Sequence, residues 1–174
     1  EREWLGFSPG VVAGFAFAIR ALTNEGDGVV IQPPVYPPFA DMITQNNRRL
    51  INNPMKIVDG RFEIDFEDLD RKLEGAKALL FCSPHNPTGR VWEEWEIRTA
   101  MELYRKYDVF VVSDEIWSDI ILGEKKHIPT QSVSEDAKMR TIALYAPSKT
   151  FNLAGLVGSY HIIYNKMLKD RCDK

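Results

Sequence analysis

Two short apolar runs constrain the fold of this chain more than any other feature. Residues 78–82 (ALLFC) and 109–112 (VFVV) are continuously apolar and do not alternate with polar residues. Continuous runs of this length predict strands that are buried on both faces of a mainly parallel sheet. Between them, Ile97, Ala100 and Tyr104 recur at helical spacing. The order strand, helix, strand favours an α/β fold with helices packed on the sheet.

The rest of the chain continues this alternation of strands and helices. Apolar spacing and capping residues predict helices at 12–22, at 38–45 and before Gly75. Apolar runs and turn residues predict strands at 29–32 and 140–146, and short strands around an Asp-Gly turn at 59–60. The polar stretch 122–129 predicts an exposed hairpin tip. We therefore expect an α/β layered domain.

Composition bounds the partners and the compartment. The chain has 174 residues, with 22 Lys and Arg against 25 Asp and Glu, so a basic surface for nucleic acid is not expected. Cys82 and Cys172 have neither metal-ligand spacing nor a disulfide framework, which fits a reducing cytoplasm. No apolar run is long enough to cross a bilayer, so we expect no membrane partner. The chain begins without Met and ends about two turns into a helix, so we expect a piece of a longer protein.

Three polar stretches follow predicted strands. They are SPHNPTG at 83–89, SDE at 113–115 and APSK at 146–149. Ligands of open α/β sheets bind beyond the carboxyl ends of strands, so these stretches are expected to converge on one site. Each has an ordinary interpretation when taken alone: a turn, a capping aspartate and a surface lysine. Lys149 is unusual in leading directly into an apolar run, which suggests an amine at the edge of a core.

Taken together, these stretches resemble the fold type I pyridoxal-phosphate enzymes, the aspartate aminotransferase superfamily. The segments PHNPTGRVW, SDEIWSDIIL and APSKTFNLAGL look most like its cystathionine β-lyase (C–S lyase) branch. The resemblance runs from residue 8 to residue 165. It implies that 1–174 is a three-layer α/β/α large domain with a mainly parallel sheet, truncated at both ends and lacking the small C-terminal domain.

The resemblance also implies pyridoxal 5′-phosphate as the cofactor and assigns roles to individual residues. Lys149 would be the catalytic lysine that carries the cofactor and then moves the Cα proton. Asp114 would pair with the pyridine nitrogen, Asn86 with the phenolic oxygen, and Tyr36 would stack on the ring. The phosphate would be received at the start of a helix and by a nearby hydroxyl, with the residues Gly10, Val11, Val12 and Ser148.

Three positions depart from the pattern of many aminotransferases. Trp117 stands where a tyrosine often donates to the phenolic oxygen, and its indole N–H has a different reach. Val157 replaces a phosphate-binding arginine and Ala146 a phosphate-binding serine. The lyase branch tolerates changes at these positions, so they favour it modestly over a transaminase.

The leading functional prediction is therefore β-elimination of an L-amino acid such as cystathionine or cysteine. An aminotransferase is the alternative because it uses the same lysine, aspartate and cofactor. A cofactor-sensing regulatory module with this fold is an alternative of another class. The resemblance implies a small amino acid substrate and a homodimer of the full-length protein, with negligible turnover by residues 1–174 alone. No metal site is expected, since His85, His127 and His161 lack zinc-ligand spacing.

Overall fold

A seven-stranded sheet forms the middle of the protein, and the computed structural model describes residues 2–173. The sheet strands are β1 (Leu5–Ser8), β2 (Gly28–Ile31), β3 (Arg49–Asn52), β6 (Ala76–Cys82), β7 (Phe110–Asp114), β8 (Thr141–Tyr145) and β9 (Ser159–Ile162), and a separate hairpin consists of β4 (Lys56–Val58) and β5 (Arg61–Glu63). The α-helices are α1 (Val11–Leu22), α2 (Pro38–Gln45), α3 (Phe66–Leu73), α4 (Glu94–Lys106), α5 (Glu135–Arg140), α6 (Pro147–Thr150) and α7 (Lys166–Cys172).

The strand order is β1-β9-β8-β7-β6-β2-β3. Five neighbouring strands, from β8 to β3, are parallel, and β9 is antiparallel to both β8 and β1. The predicted α/β fold with a mainly parallel sheet is confirmed. Because β6, β7 and β8 are parallel and adjacent, the loops that follow them leave the sheet at the same edge.

Both faces of the central strands are buried, as the continuous apolar runs predicted. In β6, Leu80 packs into the core on the side of α1, α2 and α7, whereas Leu79 and Phe81 pack on the side of α3, α4 and α5. Successive side chains of a strand point to opposite faces, so a strand covered by helices on both sides must be apolar throughout. The result is the expected three-layer arrangement.

Two surface segments differ from the sequence-based expectation. Residues 122–129 are not part of a hairpin, so that part of the prediction is wrong, whereas the predicted exposure is confirmed for residues 122–126. His127 of this loop contacts the buried carboxylate of Glu115. The apolar run after Lys149 does not enter the core: its residues Phe151 and Leu156 are 66% and 75% exposed. Lys149 therefore stands at the edge of an exposed segment of the surface.

A pair of phenylalanines on α1 offers a matched test of the core on the α1 side of the sheet. Phe15 is fully buried against Phe39, while Phe17 is 50% exposed. Phe15→Ala should lower the free energy of unfolding by about 3–5 kcal/mol because a large cavity replaces the ring. Phe17→Ala should cost less than about 1 kcal/mol. Urea denaturation measures both, and equal losses would contradict the packing described.

Candidate active site

A cavity of about 280 Å³ lies at the edge of the sheet where β7 and β8 end. All nine residues singled out in the sequence line it, namely Gly10, Val11, Val12, Tyr36, Asn86, Asp114, Trp117, Ser148 and Lys149. They come from five separate stretches of the chain. The fold thus brings together the residues that the motifs indicated, while the role of each one stays a prediction.

Asp114 is the buried charged group of this cavity. It is the last residue of β7, it stands opposite Cys82 of β6 and Leu144 of β8, and it is only 5% exposed. Its Oδ1 accepts a hydrogen bond of 3.1 Å from the backbone N–H of Ile116. Burial raises the pKa of Asp114 to about 7, since a charged carboxylate loses its hydration there. Within residues 2–173, no cation comes close enough to form an ion pair with it.

Lys149 reaches the cavity from α6, which begins directly after β8 with Ala146 as its N-cap residue. Its Nζ lies 5.4 Å from the centroid of the Trp117 ring, within the range of a cation–π contact. The next residue, Thr150, donates a 2.9 Å hydrogen bond to Asp119 and so ties α6 to the segment after β7. The positive charge of Lys149 acts to lower the pKa of Asp114, in opposition to burial, as expected when both groups face one cavity.

Asn86 and Tyr36 are held to each other through their backbones. The Tyr36 N–H donates to the Asn86 carbonyl over 3.1 Å, and the Asn86 N–H donates to Cys82 Sγ over 3.3 Å. The Tyr36 ring meets Phe39 edge to face, with 6.4 Å between centroids. A side-chain amide and an aromatic ring therefore reach the cavity from one connected piece of structure.

A buried ion pair supports the loop that carries Asn86. Arg90 donates to both carboxylate oxygens of Glu96 at 2.6 and 2.7 Å, and its guanidinium lies 4.6 Å from the centroid of the Trp92 ring. The Arg90 carbonyl accepts the His85 N–H at 2.8 Å and closes the loop. Because both charged side chains are less than a tenth exposed, this pair fixes the loop against the start of α4.

The start of α1 forms a further part of the cavity wall, with Gly10, Val11 and Val12. Gly10 precedes the helix with φ of 91°, a conformation that residues other than glycine rarely adopt. Gly10 has no side chain, so it cannot cap the helix with a side-chain hydrogen bond. The first N–H groups of a helix have no partner within it, and the helix dipole adds positive potential there. Close packing fixes this helix, since a Cβ on Gly14 would lie 2.8 Å from Leu144 Cδ2 of β8. These features suit an anion such as a phosphate.

Sequence reasoning missed several residues that line the same cavity. Phe15, Ile116, Ala154 and Gly158 complete its apolar walls, together with Ala146 and Val157, the two positions that depart from the usual phosphate contacts. These residues are small or apolar, and such residues are common throughout the chain, so nothing in the sequence marked them as members of a site. No histidine lines this cavity, and no group of three potential metal ligands occurs within residues 2–173.

The comparisons with known proteins agree with this arrangement. The model of the family "Aminotransferase class I and II" matches residues 1–172, and the chain belongs to this family. It is 46% identical over 167 residues to cystathionine beta-lyase PatB of Bacillus subtilis, covering 95% of this chain and 43% of that protein. The resemblance to the cystathionine β-lyase branch is thereby confirmed.

Solved structures of related enzymes are also similar to this chain. Cystalysin of Treponema denticola, which contains pyridoxal 5′-phosphate, superposes with a TM-score of 0.96 at 40% identity, over 99% of this chain and 44% of that one. A PLP-bound C–S lyase of Staphylococcus hominis gives a TM-score of 0.95 at 36% identity, over 99% and 44%. The chain therefore spans less than half the length of the relatives it matches.

The buried carboxylate predicts an unusual pH dependence of the cofactor-free protein. The folded state holds the Asp114 proton more tightly than the unfolded chain does, so this contribution to stability is present below about pH 4 and is lost as the pH rises through about 7. Asp114→Asn should therefore stabilise the protein relative to wild type by about 2–3 kcal/mol more at pH 8 than at pH 5. Urea denaturation at the two pH values measures this difference.

Asp119→Asn is the control for this experiment, because the Asp119 side chain is exposed and lies only five residues further along the chain. It should produce no such dependence on pH. If Asp114→Asn changes stability equally at both pH values, the description of Asp114 as a desolvated carboxylate is wrong.

The Arg90–Glu96 pair gives a second matched test. Glu96→Ala should destabilise the protein by about 3–5 kcal/mol, because the Arg90 guanidinium would be left buried without its partner. Glu94→Ala, two residues earlier, removes a solvent-exposed pair with Arg98 and should cost less than about 0.5 kcal/mol. Thermal or urea unfolding that gives similar losses for both variants would contradict the importance of the buried pair.

Proposed function

We propose that residues 1–174 are the pyridoxal-phosphate-binding large domain of a longer C–S lyase. The longer enzyme would convert an L-amino acid such as cystathionine or cysteine to pyruvate, ammonia and a thiol. The observation that carries this proposal is the meeting of the Lys149 amine and the buried Asp114 carboxylate in one cavity. Similarity to PatB and to two PLP-containing structures supports it. The chain spans only 43–44% of these proteins, which supports the proposal that the whole enzyme is longer.

The residues around the cavity fit this cofactor. The buried Asp114 carboxylate, which has no ion-pair partner among residues 2–173, suits a protonated ring nitrogen, and the start of α1 suits the phosphate. The Asn86 amide and the Tyr36 ring line the same cavity, where they would hydrogen-bond the phenolic oxygen and stack on the pyridine. When bound, the cofactor supplies an electron-withdrawing ring that stabilises negative charge at the substrate Cα.

The chain's own groups would divide the remaining work. The Lys149 amine would hold the cofactor and, once displaced by the amino group of the substrate, take the proton from Cα. The Trp117 ring beneath the amine keeps the lysine inside the cavity through the cation–π contact. In the overall reaction the Cα–H and C–S bonds break, the sulfur leaves with the C–S electron pair and is protonated to the thiol, and water hydrolyses the remaining nitrogen-bearing three-carbon fragment to pyruvate and ammonia.

An aminotransferase is the second candidate, because the family model that matches the chain is named for this activity. The same lysine and aspartate would serve it, with the amino group passed to a 2-oxo acid and the C–S bond left intact. A regulatory module that only senses the cofactor is a third possibility; in that case the cavity would bind the cofactor without turnover.

A homodimer of the full-length protein is part of the proposal. Within residues 2–173, the strongly exposed large apolar side chains include Phe7, Phe151, Leu156 and Leu122, at 87, 66, 75 and 89%. Where such groups lie together in one patch, they would form a surface for another domain or subunit to cover. The free thiols of Cys82 and Cys172 support a cytoplasmic location. Within residues 2–173, no helix is long and apolar enough to cross a bilayer.

The experiment that tests the proposed function uses the full-length protein loaded with pyridoxal 5′-phosphate and mixed with L-cystathionine, without an added 2-oxo acid. Many molecules of pyruvate per active site are expected. Lys149→Ala should reduce the rate by at least about a thousandfold, since it removes the group that moves the Cα proton. Lys166→Ala, at an exposed surface lysine, is the control and should retain full activity.

The outcomes separate the three functions. A single half-reaction that stops at the amino form of the cofactor and resumes when a 2-oxo acid is added would favour the aminotransferase. Cofactor binding without turnover of cystathionine, cysteine or other amino acids would favour the regulatory module. Pyruvate release that Lys149→Ala leaves unchanged would contradict the role proposed for this lysine.

A further inference from the structure

Glu115, the residue directly after Asp114, is a fully buried carboxylate that does not line the cavity. Its Oε2 contacts His127 Nε2 and the Tyr145 hydroxyl, each at 2.7 Å. Its Oε1 accepts hydrogen bonds of 3.0 Å from the Thr130 N–H and from the Ser113 hydroxyl. Both oxygens are thus satisfied by two polar groups each, so the side chain is held in one orientation.

The four partners come from different parts of the chain. Ser113 belongs to β7, His127 to the loop 122–129, Thr130 to a short 3₁₀ turn at Thr130–Ser132, and Tyr145 ends β8. Glu115 also donates its backbone N–H to the Leu144 carbonyl at 2.9 Å. Together they join the ends of β7 and β8 through one buried carboxylate.

This junction is close in the chain to the proposed catalytic lysine and to its aspartate. Asp114 precedes Glu115 in the chain, and Tyr145 is four residues before Lys149. Since a buried carboxylate that loses its donors is costly, movement of either strand end is opposed. The negative charge of Glu115 also adds to burial in raising the pKa of Asp114, so the two carboxylates are electrostatically coupled.

We propose that Glu115 is a positioning residue that acts through Asp114. Its hydrogen bonds hold the end of β7, and with it the backbone that carries the Asp114 carboxylate, and its charge adds to the negative potential that a protonated ring nitrogen would meet. The inference rests on the proposed binding of pyridoxal 5′-phosphate, in which Asp114 contacts that nitrogen. If the inference is correct, a substitution of Glu115 lowers the affinity for pyridoxal 5′-phosphate only when Asp114 is present.

A double-mutant cycle tests this requirement. The full-length protein, freed of cofactor, is titrated with pyridoxal 5′-phosphate, and the dissociation constant is measured from the absorbance of the bound form. Glu115→Gln keeps the size of the side chain but removes its charge and presents an amide to its donors. We expect it to weaken binding about tenfold in the wild-type background and less than about twofold in the Asp114→Asn background.

The cycle has clear contrary results. An equal loss of affinity in both backgrounds would mean a general structural role and would overturn the inference, as would unchanged affinity in both. The wild-type titration reports separately on the proposed function: if the wild-type protein does not bind the cofactor, that proposal fails, whereas binding with an additive cycle overturns only the role of Glu115.

A second variant covers the case in which Glu115→Gln does not fold. Tyr145→Phe removes one donor from Glu115 and keeps the ring that stacks on Tyr160, with 5.4 Å between centroids. It should weaken cofactor binding about threefold in the wild-type background and not in the Asp114→Asn background. Glu94→Gln, an exposed carboxylate on α4, is the control and should leave the affinity unchanged.

Discussion

The burial of one carboxylate at the end of a central strand is the constraint on which the site depends. Asp114 stands between β6 and β8, in a position that water scarcely reaches. Desolvation of a charge is costly unless a cation or hydrogen-bond donors compensate. A backbone N–H donates to Asp114 Oδ1, and Lys149 lines the same cavity from the end of β8 without forming an ion pair with Asp114, so burial still raises the pKa of this carboxylate. The parallel order of the strands makes this meeting possible.

Much of the fold could be predicted because its strongest signals are local. The continuous apolar runs in β6 and β7 required two covering layers, and the observed cores on both sides of the sheet meet that requirement. The three polar stretches with Asn86, Asp114 and Lys149 could be expected to converge because they follow parallel strands, whose ends share one edge, whereas Tyr36 and Trp117 were indicated only by resemblance to a family. Their individual roles came from resemblance to a family, and they remain predictions.

The features that could not be predicted depend on contacts between distant residues. The polar stretch 122–129 was expected to be a solvated hairpin tip, yet His127 turns inward to the Glu115 carboxylate, a partner twelve residues earlier in the chain. The apolar residues after Lys149 suggested core packing, although Phe151 and Leu156 lie on the surface. Apolar composition favours burial of a segment, but whether the segment is buried depends on contacts with residues far away in the chain.

The central claim is that the Lys149 amine is the group that carries the cofactor. Borohydride reduction of the full-length protein after loading with pyridoxal 5′-phosphate would attach the cofactor permanently to the amine that holds it. Proteolysis and mass spectrometry would then identify that residue. The account predicts a single modified peptide that contains Lys149. Modification confined to another lysine, such as the exposed Lys125, or no modification at all, would contradict it.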